Sequence, residues 1–320
     1  MNKSQISLQF VWIFVFIIGA LIIAGVVSFI FRANDASEEA INFEFISKIQ
    51  PILLLASHGT DSAKEINIPN VPLSFTCLPG LSTLQIENAP PTDITYLPFY
   101  SLDHLESPKL ALWGLPHTYP FITSTLLLVS TRRVDFVFYE SLQNGPLKEL
   151  HDRLPDIYAK QYVTSTAALD AISLTSYDHY RIIALDGVDS QTVTEHLPLG
   201  DKVTLLSLPH APFTYPGTAY LADQPFRYLS QELLFAAMFS QDAQTYRCQT
   251  QKLFHQASLA YQLHLARLNS LTVCPGSYES AKLQLQTLID TTDADVASLA
   301  KDALMDENAR LSRLGCPLVY

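Results

Sequence analysis

The chain contains 320 residues, of which 31 are acidic and 20 are basic, so its formal net charge is −11. Only 16% of its residues are charged, and this acidic composition lacks the basic surface on which nucleic-acid binding depends, so nucleic acid is excluded as a partner. A chain of this length can contain a membrane segment and, beyond it, one large or two small domains.

A run at residues 10–31 has no charged side chain and reads FVWIFVFIIGALIIAGVVSFIF. About 22 residues of α-helix rise on the order of 33 Å, which is enough to cross the hydrocarbon core of a bilayer. The alternative is a cleaved secretory signal, but such signals have a shorter apolar core and end in small residues. We therefore predict a short lead at residues 1–9 and a single-pass transmembrane helix at residues 10–31, with the lipid bilayer as its partner.

The lead carries a more specific pattern, Gln5-Ile6-Ser7-Leu8-Gln9, with Ile13 following inside the apolar run. It resembles the QxSxExxxL class III signals of archaeal type IV pilin-like subunits. The resemblance implies cleavage by a prepilin peptidase between Ser4 and Gln5. Ser4 stands where the family has glycine, and Gln9 replaces the acidic residue used in filament assembly. An ordinary anchor whose lead matches by chance is the alternative.

Residues 32–65 are predicted to form a helical stalk, because apolar residues from Ile41 to Leu54 recur at helical spacing and Gly59 can end a helix. An α/β body is predicted at residues 66–222. Its first part is rich in proline and in short apolar runs, which indicates strands at 73–77, 83–87, 94–97, 110–114 and 125–130. Trp113, His117, Tyr119 and Phe121 are expected to pack over a sheet, a ligand pocket being the alternative.

From residue 133 onwards, strand and helix patterns alternate. Strands are predicted at 134–139, 157–163, 180–185, 203–208 and 218–221, with helices at 147–154 and 167–176 and a helical turn at 193–197. Such alternation is typical of βαβ units in a mainly parallel, three-layer α/β core with a flavodoxin- or receiver-like topology. Ligands of such sheets bind beyond the carboxyl ends of the strands.

Polar residues follow four of these strands, as Glu140-Ser141, Thr164-Ser165, Asp186-Gly187 and Leu208-Pro209-His210. The catalytic candidates of a hydrolase at this edge are Asp186, Ser141, Ser165 and His210, although Asp-Gly after a strand is also ordinary turn chemistry. No phosphate-binding, dinucleotide-binding or nucleophile-elbow motif follows any strand, so neither a cofactor nor a metal is expected.

The C-terminal region, residues 223–320, is predicted to be helical and packed on the body. Pro225 is assigned to the first turn of a helix, and longer helices are expected at 243–273, 278–289 and 293–314, with Gly315 as the final cap. His264 lies on the apolar stripe of the second helix, where a hydrogen-bonded core histidine is expected rather than a metal ligand.

The four cysteines are widely spaced and form no zinc motif, which favours two disulfides in an oxidising space over four buried thiols in the cytoplasm. Cys248 and Cys274 on one helix would lie about 39 Å apart, too far for a disulfide. The last two helices run out and back, so we predict Cys274–Cys316 and Cys77–Cys248. The positive charges on the two sides of the membrane segment are nearly balanced, so the positive-inside rule does not determine its orientation. The disulfides are therefore the evidence that favours a body outside the cytoplasm.

The element Phe75-Thr76-Cys77 and the closing GCPLVY resemble uncharacterised membrane-anchored proteins of small-genome archaea, which implies location and architecture but no activity. The leading hypothesis is therefore an anchored extracytoplasmic structural or interaction protein, such as a pilin-like minor component with protein partners or self-association at the cell surface. The alternatives are an anchored small-ligand or cell-wall binding module, and a hydrolase acting at the sheet edge.

Overall fold

The structure is a computed structural model that describes residues 24, 46–57, 61–78, 81–86, 89–94, 98–102, 104–140, 145–172, 177–185, 202–208, 215–291 and 294–320. The chain divides into two compact units, Met1–Pro51 and Ile52–Tyr320. The predicted lead with Ser4 and Gln5, and the predicted span except residue 24, lie outside the described residues. Within the described ranges, no helix combines the length and the apolar character needed to cross a membrane.

The described elements, in chain order, are the helix α1 (residues 46–57), β1 (Ser62–Asn67), β2 (Leu73–Leu78), β3 (Leu81–Ile86), β4 (Thr92–Ile94), β5 (Pro98–Tyr100), β6 (His104–Leu105), β7 (Lys109–Thr118), β8 (Ile122–Thr131), β9 (Val134–Tyr139), α2 (Pro146–Arg153), β10 (Ala159–Val163), α3 (Thr166–Asp170), β11 (His179–Leu185), β12 (Val203–Leu208), β13 (Gly217–Leu221), β14 (Gln224–Tyr228), α4 (Gln231–Met238), α5 (Ala243–Ser270), α6 (Glu279–Asp290) and α7 (Ala294–Arg313). They form a mixed α/β fold in which the described strands build three sheets.

Strands β1 to β8 form two of the sheets. Four strands lie in the order β1-β7-β8-β5, and four short antiparallel strands lie in the order β4-β3-β2-β6. Of the helix predicted at residues 32–65, the structure describes residues 46–57, which are helical, and residues 61–65. Residues 62–65 are not helical, because β1 pairs antiparallel with β7 along its whole length. Glu65 of β1 also forms ion pairs with Lys109 and Arg132. This pairing with a distant strand determines the conformation of β1.

The third sheet has the order β10-β9-β11-β12-β13-β14, and its first four strands are parallel. Numbered along the chain, these four strands follow the order 2-1-3-4 of flavodoxin-like sheets. The predicted arrangement therefore holds for them, whereas β13 and β14 add an antiparallel hairpin at the edge. The strand order reverses between β9 and β11, and this switch point is where such sheets bind ligands.

Side chains of the third sheet alternate between two apolar clusters, as expected for strands that are covered on both faces. Phe136 and Phe138 of β9 pack with Leu150 of α2 and with α4, while Val137 of β9 packs with Leu169 of α3 on the other face. The helices that follow β9 and β10 thus lie on opposite faces of the sheet, which makes this part of the body three-layered.

The C-terminal region departs from the prediction at its start. Residues 224–228 form strand β14 rather than a helix, and Pro225 lies within it. Because β14 is the edge strand of its sheet, the missing N–H of a proline is tolerated there. Helix α4 begins instead at Gln231, where the Ser230 side chain accepts a hydrogen bond from the amide of Leu233.

The three long helices agree with the sequence prediction to within a few residues. The stripe predicted to face inwards on α5 includes Leu253, Ala257, Tyr261 and Leu268, all of which are buried. Gly315 follows α7 with a φ of +68°, and the amide of Cys316 donates to the carbonyl of Leu311, which is a Schellman cap.

Both predicted disulfides are present, Cys77–Cys248 and Cys274–Cys316, with Cα atoms 6.1 and 6.0 Å apart. The first joins β2 to α5 and is reinforced by a neighbouring contact, in which the Lys252 ammonium donates to the Ser82 hydroxyl at 2.7 Å. Cys77 and Ser82 are opposite each other in the β2–β3 hairpin, and Lys252 lies one helical turn beyond Cys248. The pair of disulfides is typical of a body in an oxidising, extracytoplasmic compartment.

Candidate functional site

At the switch point of the third sheet, the side chain of Glu140 extends from the end of β9 into the protein and is buried. Its Oε2 accepts hydrogen bonds from the Tyr162 hydroxyl at 3.0 Å and from the amide of Leu147 at 3.2 Å. Leu147 belongs to the first turn of α2, where the N-cap residue is Gly145 and offers no side chain. The carboxylate of Glu140 therefore replaces the missing cap and interacts favourably with the helix dipole.

Gly145 is required for this arrangement. A Cβ atom built on Gly145 would lie 1.8 Å from Oε1 of Glu140, far inside van der Waals contact. The close approach of the backbone to the carboxylate thus explains glycine at this position. Glu140 is consequently a helix-capping residue, and its described contacts give no indication of a catalytic role.

Of the sequence-based catalytic candidates, the structure describes Ser165 alone. Its hydroxyl accepts a hydrogen bond from the amide of Ala168 at 3.2 Å and caps α3. Ser141, Asp186, His210 and the helical turn predicted at 193–197 lie outside the described residues.

The other residues singled out in the sequence have structural roles. Nδ1 of the half-buried His264 donates a hydrogen bond of 2.8 Å to the carbonyl of Val319, and its ring packs on Phe121, so this histidine has a structural role. Trp113 and His117 are buried, as expected for aromatic packing over a sheet, and burial lowers the pKa of His117 to about 4. Within the described residues, no group of three or more His, Cys, Asp or Glu side chains could hold a metal ion.

A cleft of about 700 Å³ lies elsewhere, between β14, α4, α5 and the end of α6. Its volume falls within the range of small-molecule sites. The lining residues that are buried form its floor: Leu229, Leu233, Tyr246, Thr250 and Leu288. The lining residues that are exposed form its rim: Arg227, Arg247, Gln251 and His255. Phe254, Ser258, Ile289 and Thr291 are half-buried between floor and rim.

Helix α5 supplies two neighbouring rows to the cleft at a spacing of four residues. Arg247, Gln251 and His255 make up the outer row, while the inner row consists of Thr250, Phe254 and Ser258. Residues four apart lie above one another on a helix, so each row runs along the cleft. The sequence contains this periodic polar row, but the row indicates a site only together with the neighbouring residues of β14, α4 and α6.

Hydrogen bonds hold the two arginines at the same end of the cleft. The Tyr246 hydroxyl donates to the carbonyl of Arg227 at 3.1 Å, and Nη2 of Arg247 donates to the carbonyl of Pro225 at 2.5 Å. Both bonds connect α5 to β14, so they hold the backbone of Arg227 and the guanidinium group of Arg247 at the end of the cleft beside Tyr246.

The charge of the cleft contrasts with that of the chain. None of its described lining residues is acidic, although acidic residues outnumber basic ones by 31 to 20 in the chain. The carbonyl end of α6 contributes the equivalent of about −0.5 charge next to Leu288 and Thr291. The rim also carries the guanidinium groups of Arg227 and Arg247, and planar guanidinium groups match carboxylates and phosphates in geometry.

Comparison with known proteins supplies no further guide to the ligand, since no family model, curated protein or solved structure matches the chain.

Proposed function

We propose that the chain is a membrane-anchored protein whose extracytoplasmic body is a binding module for a small anionic ligand. The observation that carries this proposal is the cleft beside α5, whose exposed rim includes Arg227 and Arg247 and whose floor is largely apolar. The two disulfides support a body outside the cytoplasm. The anchor is supported by the uncharged run at residues 10–31 of the sequence.

Thermal unfolding of the full chain in phosphatidylcholine nanodiscs tests this function. Inorganic phosphate, citrate, hexyl phosphate and the cation hexyltrimethylammonium would be compared at equal millimolar concentration. We expect at least one anion to raise the melting temperature and the cation to have no effect, because a ligand stabilises the folded state that binds it.

The double variant Arg227→Gln/Arg247→Gln should lose this stabilisation. The matched control is Arg267→Gln/Arg313→Gln, which removes two exposed arginines that do not line the cleft and should respond as the unaltered chain does. Equal stabilisation by the cation, or an unchanged response of the Arg227→Gln/Arg247→Gln variant, would contradict the proposal.

A second candidate function is self-association as a pilin-like minor component, which the sequence of the lead suggests. One described feature favours it: Leu259 and Leu263 lie one turn apart on α5 and are 55% and 72% exposed. If this face joins two copies of the chain, sedimentation in nanodiscs should detect dimers that Leu259→Gln/Leu263→Gln abolishes. Monomers at all concentrations would exclude this function.

A further inference from the structure

The side chain of Lys252, on helix α5, is half-buried and is held by neutral oxygen atoms. Its Nζ donates hydrogen bonds to the carbonyl of Leu81 and to the hydroxyl of Ser82, the latter at 2.7 Å. Strands β2 and β3 carry no charged side chain, and neither Asp93 of β4 nor His255 of α5 pairs with Lys252. Among the described residues, this ammonium group is therefore partly buried without an ion pair.

Partial burial makes Lys252 a nucleophile near neutral pH. Because desolvation penalises the ammonium form, it lowers the pKa of Lys252 to about 8. At that pH about half of the side chain is the neutral amine, compared with about 0.4% of a lysine whose pKa has the usual value of about 10.4. Desolvated lysines with a lowered pKa are the ones that form Schiff bases with carbonyl compounds.

The exposure of the two side chains decides which of them can react with a ligand. Ser82 is only 3% exposed, so its hydroxyl is not accessible, whereas Lys252 retains exposed surface. The Ser82 hydroxyl lies within hydrogen-bond distance of Nζ, where it can relay a proton during a reaction at the amine. The amine is therefore the reacting group, and Ser82 is a positioning residue.

An exposed apolar stripe leads away from Lys252 on the same face of α5. Residues 252, 256, 259 and 263 are spaced by four, three and four positions, which places them above one another on a helix. Leu259 and Leu263 of this stripe are 55% and 72% exposed. They lie about 10.5 and 16.5 Å from Lys252 along the helix axis, so an alkyl chain attached at Lys252 has two exposed leucines to lie on.

We propose that Lys252 is a covalent capture site for aliphatic aldehydes. The Nζ lone pair attacks the aldehyde carbon, and the two amine protons pass through the Ser82 hydroxyl to the former carbonyl oxygen, which leaves as water. The nitrogen and the carbon remain joined by a C=N bond, and no oxidant or reductant is consumed. The alkyl chain lies along Leu259 and Leu263. Lys252 does not line the cleft, so this site is independent of the proposed function.

Borohydride trapping tests this assignment, because borohydride reduces the imine to a stable secondary amine. The full chain in phosphatidylcholine nanodiscs, whose lipid has no primary amine, would be incubated with hexanal at pH 7.5 and quenched with borohydride at timed points. Peptide mass spectrometry would then quantify the modification of each lysine. Lys282 and Lys301 are controls in the same molecule, because both are half-buried and pair with Glu279 and Asp302.

We expect Lys252 to be modified about ten-fold faster than Lys282 or Lys301, since the larger neutral fraction outweighs the weaker nucleophilicity of a less basic amine. Equal rates at the three lysines would overturn the proposal.

Two variants test the other parts of the site. Ser82→Ala should slow the modification of Lys252 several-fold at pH 9.5, where the amine is neutral with or without the serine and only the proton relay is lost. In the unaltered chain we expect octanal to react faster than propanal, and Leu259→Gln/Leu263→Gln should remove this preference while leaving propanal unchanged. Each rate is divided by that of Lys282 in the same sample, which corrects for partition of the aldehyde into lipid.

The outcomes separate the parts of the proposal. An unchanged rate in Ser82→Ala at pH 9.5 would overturn the proton relay. Equal modification of the unaltered chain by propanal and octanal would overturn the alkyl chain as part of the ligand, and would leave the face of Leu259 and Leu263 to a second copy of the chain.

Discussion

Replacing Cys77 and Cys248 together by serine should lower the free energy of unfolding by about 5 kcal/mol at most, the largest effect that we expect. The bridge joins residues separated by 171 positions, and the loss of chain entropy in the unfolded state grows with the logarithm of the loop that a disulfide closes. Denaturant unfolding of the full chain, followed by fluorescence of buried Trp113, measures the change.

The second disulfide provides the matched control. Cys274→Ser/Cys316→Ser opens a loop with a separation of 42, for which the same relation gives about 4 kcal/mol. We therefore expect the Cys77–Cys248 bridge to contribute about 1 kcal/mol more than Cys274–Cys316. The reverse order would show that local geometry, rather than loop length, decides the contribution of each bridge.

Asp135→Asn should stabilise the protein at pH 8 by up to about 3 kcal/mol, the equivalent of about two pKa units. Asp135 lies on β9 with no exposed surface, and burial raises its pKa to about 6, although Gln161 donates a hydrogen bond of 2.5 Å to Oδ2. The nearby hydroxyls of Tyr177 and Tyr180 are uncharged at this pH, while Oδ1 has no hydrogen-bond partner among the described atoms. The ionised carboxylate is therefore poorly compensated.

The sign of the pH dependence follows from the raised pKa. Because the folded pKa exceeds that of an unfolded aspartate, protonated Asp135 favours the folded state below about pH 4, and this stabilisation is lost as the pH rises through about 6. Urea unfolding at several pH values should show the advantage of Asp135→Asn growing from pH 4 to pH 7. Asp178→Asn, which removes an exposed partner of Arg133, should change stability by less than about 1 kcal/mol. An Asp135→Asn variant less stable than the unaltered chain at pH 8 would contradict this account.

Elements determined by local patterns could be predicted from the sequence. Strands β9, β11 and β12 are short, predominantly apolar segments, and the inward stripe of α5 recurs at three and four residues. The rise of that helix excluded a Cys248–Cys274 bridge, and the return of the last two helices towards Cys274 selected, from the two pairings that remained, the one that the structure contains. The sequence pattern of neighbouring residues was therefore sufficient to predict these strands, this helix and the disulfide pairing.

Elements determined by distant partners could not be predicted in this way. Residues 62–65 join a strand because β7 pairs with them, and Pro225 is accepted in β14 because that strand ends its sheet. The cleft combines side chains from β14, α4, α5 and α6, so the polar row on α5 indicated a site only once its neighbours were known. The sequence showed that Glu140 follows a strand. Its role as the cap of α2 could not be predicted, because it depends on how closely the backbone at Gly145 approaches the Glu140 carboxylate.

The dependence of anion binding on Arg227 and Arg247 can be measured by calorimetric titration of the full chain in nanodiscs with hexyl phosphate. The unaltered chain would be compared with Arg227→Gln/Arg247→Gln and with Arg267→Gln/Arg313→Gln. We expect one site per chain in the unaltered protein and in the second variant, and binding at least ten-fold weaker in the first. Equal affinity in all three proteins would show that the ligand binds elsewhere and that the cleft beside α5 is not the anion site.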